Sequence, residues 1–217
     1  GGIEMLPSAA LHSLNPPKNI CIVAKPNQKQ VAPALQRIVT FFNQHRISIF
    51  IRNELLARDS CQSLRGDFIR VEDFSEVPSQ NCLAIALGGD GTMLYTFRNL
   101  PAGSTVLGIN FGNLGFLTPF RYEDLDQVLE QLMAGELVKR SRSMLEVDLL
   151  RGGEEIGSWR VTNDLSVNKA ALARMNQLSL YVDGKPLTQI RADGIVCSTP
   201  SGSTAYNLSA GGSIIEP

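Results

Sequence analysis

The chain has 217 residues, of which 43% are hydrophobic and 19% are charged, and its formal net charge is −1. This composition is ordinary for a soluble globular protein, and the near-neutral charge gives no support to nucleic-acid binding or to attraction by a membrane surface. No apolar run approaches the roughly 18 residues of a membrane span, and residues 1–17 lack the pattern of a secretory signal, so we expect a cytoplasmic protein.

Residues 1–17 are expected to form a loose N-terminal arm, after which strands and helices alternate. Apolar residues at helical spacing predict helices from Val31 to His45 and from Tyr122 to Ala134. Alternating strands and helices are typical of a doubly wound, mostly parallel sheet, whose ligands bind beyond the carboxyl ends of the strands. We therefore predict an α/β domain over residues 18–137. Its strands are expected in the apolar runs at residues 20–24, 47–51, 68–71, 83–87 and 105–110.

The predicted strand at residues 83–87 leads directly into a glycine-rich loop. Glycines let the backbone approach a phosphate closely, and the helix expected to start near Thr92 would point its first N–H groups at an anion. Taken alone, the same pentapeptide is also an ordinary turn between a strand and a helix. We interpret the loop as a candidate donor-phosphate site made by Gly88, Gly89, Gly91 and Thr92 around Asp90.

After Gly135 the predicted elements are short strands separated by turns. Arg151-Gly152-Gly153 and Asp183-Gly184 are turn formers between two pairs of these strands, which is typical of β-hairpins. We therefore predict a domain boundary at residues 135–140 and a β-rich second domain over residues 138–217. Its strands are expected at residues 145–150, 156–162, 164–168, 177–182, 187–190 and 195–198.

The second domain ends in a block of small and hydroxyl-bearing residues from Ser198 to Gly212. Gly202 and the proline two residues before it predict a turn, and Ser203 or Thr204 is expected to cap a helix that runs towards Ala210. A helix start rich in hydroxyl groups, with a tyrosine inside it, suits a nucleotide because it offers hydrogen bonds to oxygens and a ring for stacking.

The four cysteines form no CxxC pair. Cys21, Cys82 and Cys197 lie in apolar, strand-like runs, whereas Cys61 does not. We therefore expect buried, reduced thiols rather than disulfides or a zinc site.

Taken in order, these motifs make the chain resemble the NAD kinases over residues 18–217. The glycine loop resembles their catalytic loop, and Asn110 to Thr118 is similar to the stretch that follows it in the family. Residues 162–164 fall where the family has an Asn-Glu pair, and the remaining substrate-binding block resembles residues 191–194 and 198–212. Lipid kinases of the diacylglycerol and sphingosine type share a similar glycine loop, but residues 198–212 separate the chain from them.

The resemblance implies ATP-dependent phosphorylation of NAD at the 2′-hydroxyl of its adenosine ribose, which gives NADP. Asp90 is then the candidate catalytic base, a role worth on the order of 10²–10⁴-fold in rate. The chain has no Walker GxxxxGK[ST] motif, so the glycine loop would hold the donor phosphates against its backbone N–H groups. Mg²⁺ is expected to come with ATP rather than through protein ligands. The family also implies a homodimer or homotetramer.

The NAD contacts in the second domain follow from the resemblance alone. Asn163 and Asp164 are expected to bind the adenosine ribose. Arg191 and Asp193 are expected near the nicotinamide end, where such residues can serve a neighbouring subunit. The residues expected at the adenosine are Thr204, Ala205, Tyr206, Asn207 and Ser209.

Three further NAD contacts are implied in the same way, at Gly91, Phe116 and Arg174. Phe116 would pack beside the dinucleotide, although a core position would explain it equally well. Arg174 would contact the dinucleotide, although a solvated surface charge would explain it equally well.

The sequence departs from the family at two places. Asp164 stands where the family more often has Glu, and the chain stops at Pro217 where family members usually continue with strands that complete the second domain. We therefore expect a fragment whose second domain is incomplete, with unpaired sheet edges. A lipid kinase remains an alternative, as does a non-catalytic NAD(P)-binding module if the chain truly ends at residue 217.

Overall fold

The structure is a computed structural model that describes residues 12–25, 28–169 and 175–216. The chain folds into two units, Gly1–Ser141 and Arg142–Pro217. Within the described ranges, no helix is long and apolar enough to cross a membrane.

The first unit alternates strands and helices as predicted. Its described elements are β1 (His12–Ser13), β2 (Asn19–Ala24), α1 (Val31–Gln44), β3 (Ser48–Arg52), α2 (Asn53–Leu56), β4 (Ile69–Val71), β5 (Cys82–Leu87), α3 (Asp90–Asn99), β6 (Thr105–Asn110), β7 (Phe120–Arg121), α4 (Leu125–Ala134) and β8 (Val138–Lys139). Short 3-10 turns occupy Asp59–Cys61, Phe74–Glu76 and Tyr122–Asp124. The expected loose arm is corrected at its end, because β1 pairs with β8 in antiparallel register.

A parallel sheet in the order β4-β3-β2-β5-β6-β7 forms the centre of the first unit. Parallel strands end at the same edge of a sheet, so the residues that follow β5 and β6 lie side by side. Leu87 of β5 pairs with Ile109 of β6, which brings the glycine loop beside Asn110. The register therefore places two of the predicted motifs at one edge.

Apolar side chains cover both faces of this sheet. Ile20 and Ile22 of β2 pack in a cluster with α1 and α4, whereas Cys21 and Val23 pack in a second cluster with Phe74. The two clusters lie on opposite faces because successive strand residues point to opposite sides. The doubly wound α/β architecture predicted for this half is confirmed. Helix α1 contributes buried residues at helical spacing, namely Val31, Ala34, Leu35, Ile38, Val39 and Phe42.

The second unit is built from antiparallel strand pairs, as predicted. Its described elements are β9 (Leu145–Arg151), β10 (Glu154–Val161), β11 (Asp164–Asn168), β12 (Asn176–Val182), β13 (Lys185–Ala192), β14 (Gly194–Ser198) and α5 (Tyr206–Ser209). The pairs are β9 with β10, β12 with β13, and β11 with β14. Asp183 and Gly184, at φ 50° and 73°, make the tight turn between β12 and β13, and turns of this kind match the twist of a hairpin.

The helix expected to run from Ser203 or Thr204 towards Ala210 is corrected. The chain instead forms a 3-10 turn at Ser201–Thr204 and the separate short helix α5. Ala205 interrupts them with φ −96° and ψ −129°, outside the helical region. The hydroxyl of Ser203 does not cap a helix; it donates to the carbonyl of Pro200 at 2.6 Å and accepts from the amide of Ile215 at 3.0 Å.

The cysteines are free thiols, but the expectation of burial holds for only part of them. Cys21 and Cys61 are buried and Cys82 is partly buried, whereas Cys197 is exposed on β14. Burial, with Cys82 nearby, raises the pKa of Cys21 to about 12. Burial also raises the pKa of Cys82 to about 11, so both groups stay protonated near neutral pH.

Candidate active site

The glycine loop turns sharply between β5 and α3. The amide of Gly88 donates to the carbonyl of Ile109 at 2.9 Å, which extends the pairing of β5 and β6 into the loop. Gly88 has φ +155°, and a side chain there would collide with the hydroxyl of Thr92. Helix α3 begins at Asp90, two residues before the start expected near Thr92. Asp90 is therefore the residue at which the glycine loop ends and the helix begins.

The carboxylate of Asp90 forms hydrogen bonds to the end of the segment Asn110 to Thr118. Its Oδ2 accepts from the amide of Phe116 at 2.9 Å, and its Oδ1 accepts from the amide of Leu117 and the hydroxyl of Thr118, each at 3.0 Å. A side chain at Gly115 would overlap the carboxylate, so the close approach requires glycine. The structure thus joins the glycine loop to residues 110–118 through one acidic side chain.

Two residues to which the sequence alone assigns no role complete this arrangement. Asn110 Nδ2 donates to Thr118 Oγ1 at 2.7 Å, and Asn110 Oδ1 accepts from the amide of Gly112 at 2.8 Å. The Thr118 residue is 0% exposed and Asn110 is 5% exposed. In the sequence, the feature that could have identified Asn110 is its position as a polar residue at the carboxyl end of a mostly apolar strand.

Phe116 presents its ring to solvent. The residue is 83% exposed although its amide is fixed by Asp90, so a core position is wrong for this side chain. Leu114 in the same loop is 48% exposed. An anchored backbone with outward apolar side chains is a suitable arrangement for contact with a ligand.

A cavity of about 580 Å³ opens beside the glycine loop in the first unit. Its volume lies within the usual range for small-molecule sites. Gly89, Gly91 and Thr92 line one part of it, and Lys25 and Arg52 bring positive charge from the ends of β2 and β3. Neither cation is predicted from the sequence, although each is a basic residue at the carboxyl end of a parallel strand.

Arg52 is held in place on the cavity wall. Its guanidinium donates to the hydroxyl of Tyr95 at 3.1 Å and to the carbonyl of Glu72 at 3.3 Å, and it pairs with Glu54 at 3.1 Å. The guanidinium carbon also lies 5.0 Å from the ring centroid of Phe74. These contacts orient a permanent positive charge, which suits recognition of an anion.

In the second unit, Asn163 and Asp164 lie against the start of the block at residues 198–212. Asp164 pairs with Ser198 across β11 and β14. The carbonyl of Asn163 accepts from the amide of Thr199 at 2.8 Å and from its hydroxyl at 3.1 Å. A side chain at Gly202 would overlap the backbone of Asn163. The structure therefore brings these two predicted clusters together.

Arg191 and Asp193 do not lie beside Asn163 and Asp164. Asn168 pairs with Gly194, so Asp193 lies at the far end of the β11–β14 pair from Asp164. Four strand steps separate the two ends, or about 13 Å at 3.3 Å per residue. Asp193 makes an ion pair with Lys169 at 2.8 Å, and Arg191 is exposed on β13.

The five residues expected at the adenosine lie on the turn before α5 and on α5 itself. Tyr206 is half exposed, and Thr204 and Ser209 are exposed, so their side chains are accessible. Asn207 instead contacts its own unit, since its amide donates to the carbonyls of Ser203 and Ser213 at 3.4 and 3.2 Å. Arg174 lies outside the described residues.

Across the part of the chain that the structure describes, no group of three or more His, Cys, Asp or Glu side chains is arranged to hold a metal ion. Asp90, the acid of the glycine loop, is already engaged by three protein donors.

Comparison with known proteins gives matches in both units. The model of the ATP-NAD kinase N-terminal domain matches residues 20–137, and that of the C-terminal domain matches residues 162–217. The NAD kinase of Syntrophotalea carbinolica is 38% identical over 201 residues, which are 92% of this chain and 68% of the relative. The NAD kinase of Geobacter sulfurreducens is 44% identical over 143 residues, which are 65% of this chain and 50% of the relative.

Two solved structures of kinases also match this chain. Yeast NADH kinase complexed with NADH matches with a TM-score of 0.83 and 26% identity, over 98% of this chain and 67% of that chain. The NAD kinase from Archaeoglobus fulgidus in complex with ATP matches with a TM-score of 0.62 and 25% identity, over 92% of this chain and 68% of that chain. The chain spans about two thirds of the length of most of these relatives. It belongs to the NAD kinase family.

Proposed function

We propose that the protein transfers the terminal phosphoryl group of ATP to the 2′-hydroxyl of the adenosine ribose of NAD, giving NADP. The observation that carries the proposal is the meeting of the glycine loop and residues 110–118 at the carboxylate of Asp90. The family of the chain names the acceptor, and the chemistry of the site suits the transfer.

Asp90 acts in this proposal as the catalytic base. A ribose hydroxyl is a poor nucleophile, and a positioned carboxylate that accepts its proton contributes on the order of 10²–10⁴-fold. As the new O–P bond forms, the hydroxyl proton moves to Asp90. The bond from phosphorus to the bridging oxygen breaks, and its electron pair leaves with ADP.

The cavity beside the glycine loop is proposed as the donor site. Lys25 and Arg52 supply positive charge, and Gly88, Gly89, Gly91 and Thr92 form the loop against which the phosphates would lie. Mg²⁺ bound with ATP would neutralise part of the phosphate charge. The two cations would orient the nucleotide and leave its terminal phosphate beside the start of α3.

The NAD contacts remain proposals that the family resemblance supports. Asn163 and Asp164 would bind the adenosine ribose, and Arg191 and Asp193 would act some 13 Å away, which suits the two ends of an extended ligand better than one group. Phe116 would pack on the dinucleotide with its exposed ring. The other proposed contacts are Gly91, Arg174, Thr204, Ala205, Tyr206, Asn207 and Ser209.

We also propose that the protein acts in the cytoplasm as a homodimer or homotetramer. Family resemblance supports this proposal. Light scattering on the purified protein at micromolar concentration would give the mass of the assembly, and a monomeric mass would contradict it.

The deciding experiment measures NADP formation from NAD and MgATP by the wild-type protein and by Asp90→Asn. We expect Asp90→Asn to lower kcat by about 100-fold or more, because the amide cannot accept the proton. Asp67→Asn is the matched control and should leave kcat unchanged, since this exposed acid precedes β4, three strands away from β5 in the sheet. Absence of NADP formation by the wild type, or full turnover by Asp90→Asn, would contradict the proposal. Phosphorylation of diacylglycerol or a sphingoid base without NADP formation would favour the lipid-kinase alternative.

A further inference from the structure

A chain of buried polar groups leads from the end of β6 to the carboxylate of Asp90. Asn110 Nδ2 donates to Thr118 Oγ1 at 2.7 Å, and Thr118 Oγ1 donates to Asp90 Oδ1 at 3.0 Å. Thr118 and Asn110 are both buried. Buried polar groups are costly unless they are hydrogen-bonded, so the loss of either bond would leave a buried group unsatisfied.

One backbone amide fixes the direction of every bond in this chain. The N–H of Gly112 can only donate, so the atom of Asn110 that it contacts at 2.8 Å must be the carbonyl oxygen Oδ1. The other end of that side chain is then the NH₂ group, which donates to Thr118. A hydroxyl carries a single hydrogen, and the hydrogen of Thr118 is left to point at Asp90.

The packing of Thr118 also limits its rotation. A side-chain carbon added at Gly108 would lie 2.9 Å from Thr118 Cγ2 and 2.8 Å from Met93 Sδ. The methyl group of Thr118 therefore fills the space that this glycine leaves, while the hydroxyl faces Asp90. Because both the methyl group and the hydroxyl group of Thr118 are fixed, this side chain can orient the carboxylate to which it donates.

The two oxygens of Asp90 consequently differ. Oδ1 accepts from the amide of Leu117 and the hydroxyl of Thr118, which occupies both of its lone pairs. Among the residues that the structure describes, only the amide of Phe116 donates to Oδ2, so one lone pair of that oxygen stays open. A proton that reaches the carboxylate would have to displace a donor at Oδ1, but it has an open position at Oδ2.

We propose that Thr118 and Asn110 are positioning residues that direct the proton of the acceptor hydroxyl to Oδ2 of Asp90. The inference rests on the proposed kinase function. The hydroxyl O–H bond breaks, its proton binds Oδ2, its oxygen forms the bond to phosphorus, and ADP leaves with the electrons of the broken P–O bond. Thr118 and Asn110 keep their own protons throughout.

Removal of the Thr118 hydroxyl has a specific expected effect. It frees a lone pair on Oδ1 and leaves Nδ2 of Asn110 without its acceptor in a buried place, so the carboxylate loses one of the three donors that orient it. One hydrogen bond to a charged group corresponds to about 10- to 100-fold. That factor should be lost from kcat, while KM for NAD stays within about twofold because Thr118 is too buried to touch a ligand.

The test compares Thr118→Val, Thr118→Ser and Thr96→Val with the wild type. Valine has the shape of threonine without its hydroxyl, and serine keeps the hydroxyl without the methyl group. Thr96 is the matched control, because it is equally buried and its hydroxyl donates within helix α3 to the carbonyl of Thr92 at 2.7 Å. We expect a loss in kcat of about 10-fold or more for Thr118→Val, and values within about threefold of the wild type for the other two variants. Should the valine variant fail to fold, Thr118→Ala removes the same hydroxyl without adding a methyl group.

A second readout does not depend on turnover. Amide hydrogen exchange at Phe116 and Leu117, which donate to Asp90, should be faster in Thr118→Val than in the wild type or Thr118→Ser. Unchanged exchange would overturn the inference even if the wild type made no NADP, an outcome that would count separately against the kinase function. Equal loss of kcat in the serine and valine variants, or a Thr118→Val kcat within twofold of the wild type, would also overturn it.

Discussion

Gly115 lies directly against the carboxylate of Asp90, so closely that a single added methyl group at residue 115 would overlap both carboxylate oxygens. The acid and the glycine are 25 residues apart in the sequence, yet the two loops they belong to depend on each other. Asp90 anchors the backbone that follows Gly115 through the amides of Phe116 and Leu117. The space left by the missing side chain is therefore part of the candidate active site.

Gly115→Ala should lower both activity and stability. The added methyl group forces the loop and the carboxylate apart and lengthens the bonds to Phe116 and Leu117. Overpacking of this kind costs about 1–3 kcal/mol, whereas misplacement of a base by 1 Å can cost on the order of 100-fold in rate. Urea unfolding and NADP formation measured on the same preparation separate the two effects. Wild-type kcat in a folded Gly115→Ala protein would show that this contact has no catalytic consequence.

Gly202→Ala should weaken NAD binding through Asn163. A side chain at residue 202 would overlap the backbone of Asn163, whose carbonyl is held by Thr199. Displacement of Asn163 would move the proposed ribose contact, so the Kd for NAD should rise by about tenfold, in line with the loss of one hydrogen bond. Calorimetric titration with NAD measures the change. Ser213→Ala, a change at an exposed site in the same unit, is the control and should leave the Kd unaltered.

The stability of the protein should fall at alkaline pH because of Cys21. Burial raises the pKa of this thiol to about 12 from 9.0. Between these values the unfolded chain releases the proton and the folded protein keeps it, so the free energy of unfolding decreases as pH rises. The decrease is at most about 1.4 kcal/mol per pH unit for one thiol. Urea unfolding at pH 8 and pH 10.5 should show a larger loss for the wild type than for Cys21→Ala. Equal losses in the two proteins would mean that Cys21 does not retain its proton.

The sequence predicts the α/β half and its edge well because local periodicity determines them. Helix α1 buries residues at helical spacing, and β5 is a continuous apolar run that ends at Gly88. Asp90, the proposed base, follows from its position after that strand. The partners of Asp90 do not follow, because Thr118 is 28 residues away and a contact at that distance depends on sheet register and loop packing.

Where hydrogen-bond partners decide the structure, local pattern fails. Ser203 looks like a helix cap in the sequence, but its hydroxyl bonds Pro200 and Ile215 and the expected helix is broken. The exposure of Cys197 is missed for a related reason. It lies in an apolar run, but no residue of the strand that this run forms is buried.

Arg52 provides a test of the donor site. It lines the cavity beside the glycine loop and is fixed by Tyr95, Glu54 and the ring of Phe74. Arg52→Met keeps an apolar chain against that ring and removes the charge. A hydrogen bond to a charged group contributes about 1.5–3 kcal/mol, so KM for ATP should rise by about tenfold or more. KM for NAD should be unchanged. Steady-state kinetics with each substrate varied in turn give both constants.

Arg37→Met is the matched control for this change. Arg37 is also ion-paired, with Asp126 at 2.9 Å, but it bridges α1 to α4 and does not line the cavity. Its loss should lower stability slightly and leave both KM values alone, because exposed ion pairs contribute about 0–1 kcal/mol. The two variants remove the same charge from the same unit. A difference in KM for ATP between them therefore reports the position of the charge and not the net charge of the unit. A KM for ATP that rises equally in both variants would mean that the donor responds to the overall charge of the unit and does not bind at Arg52.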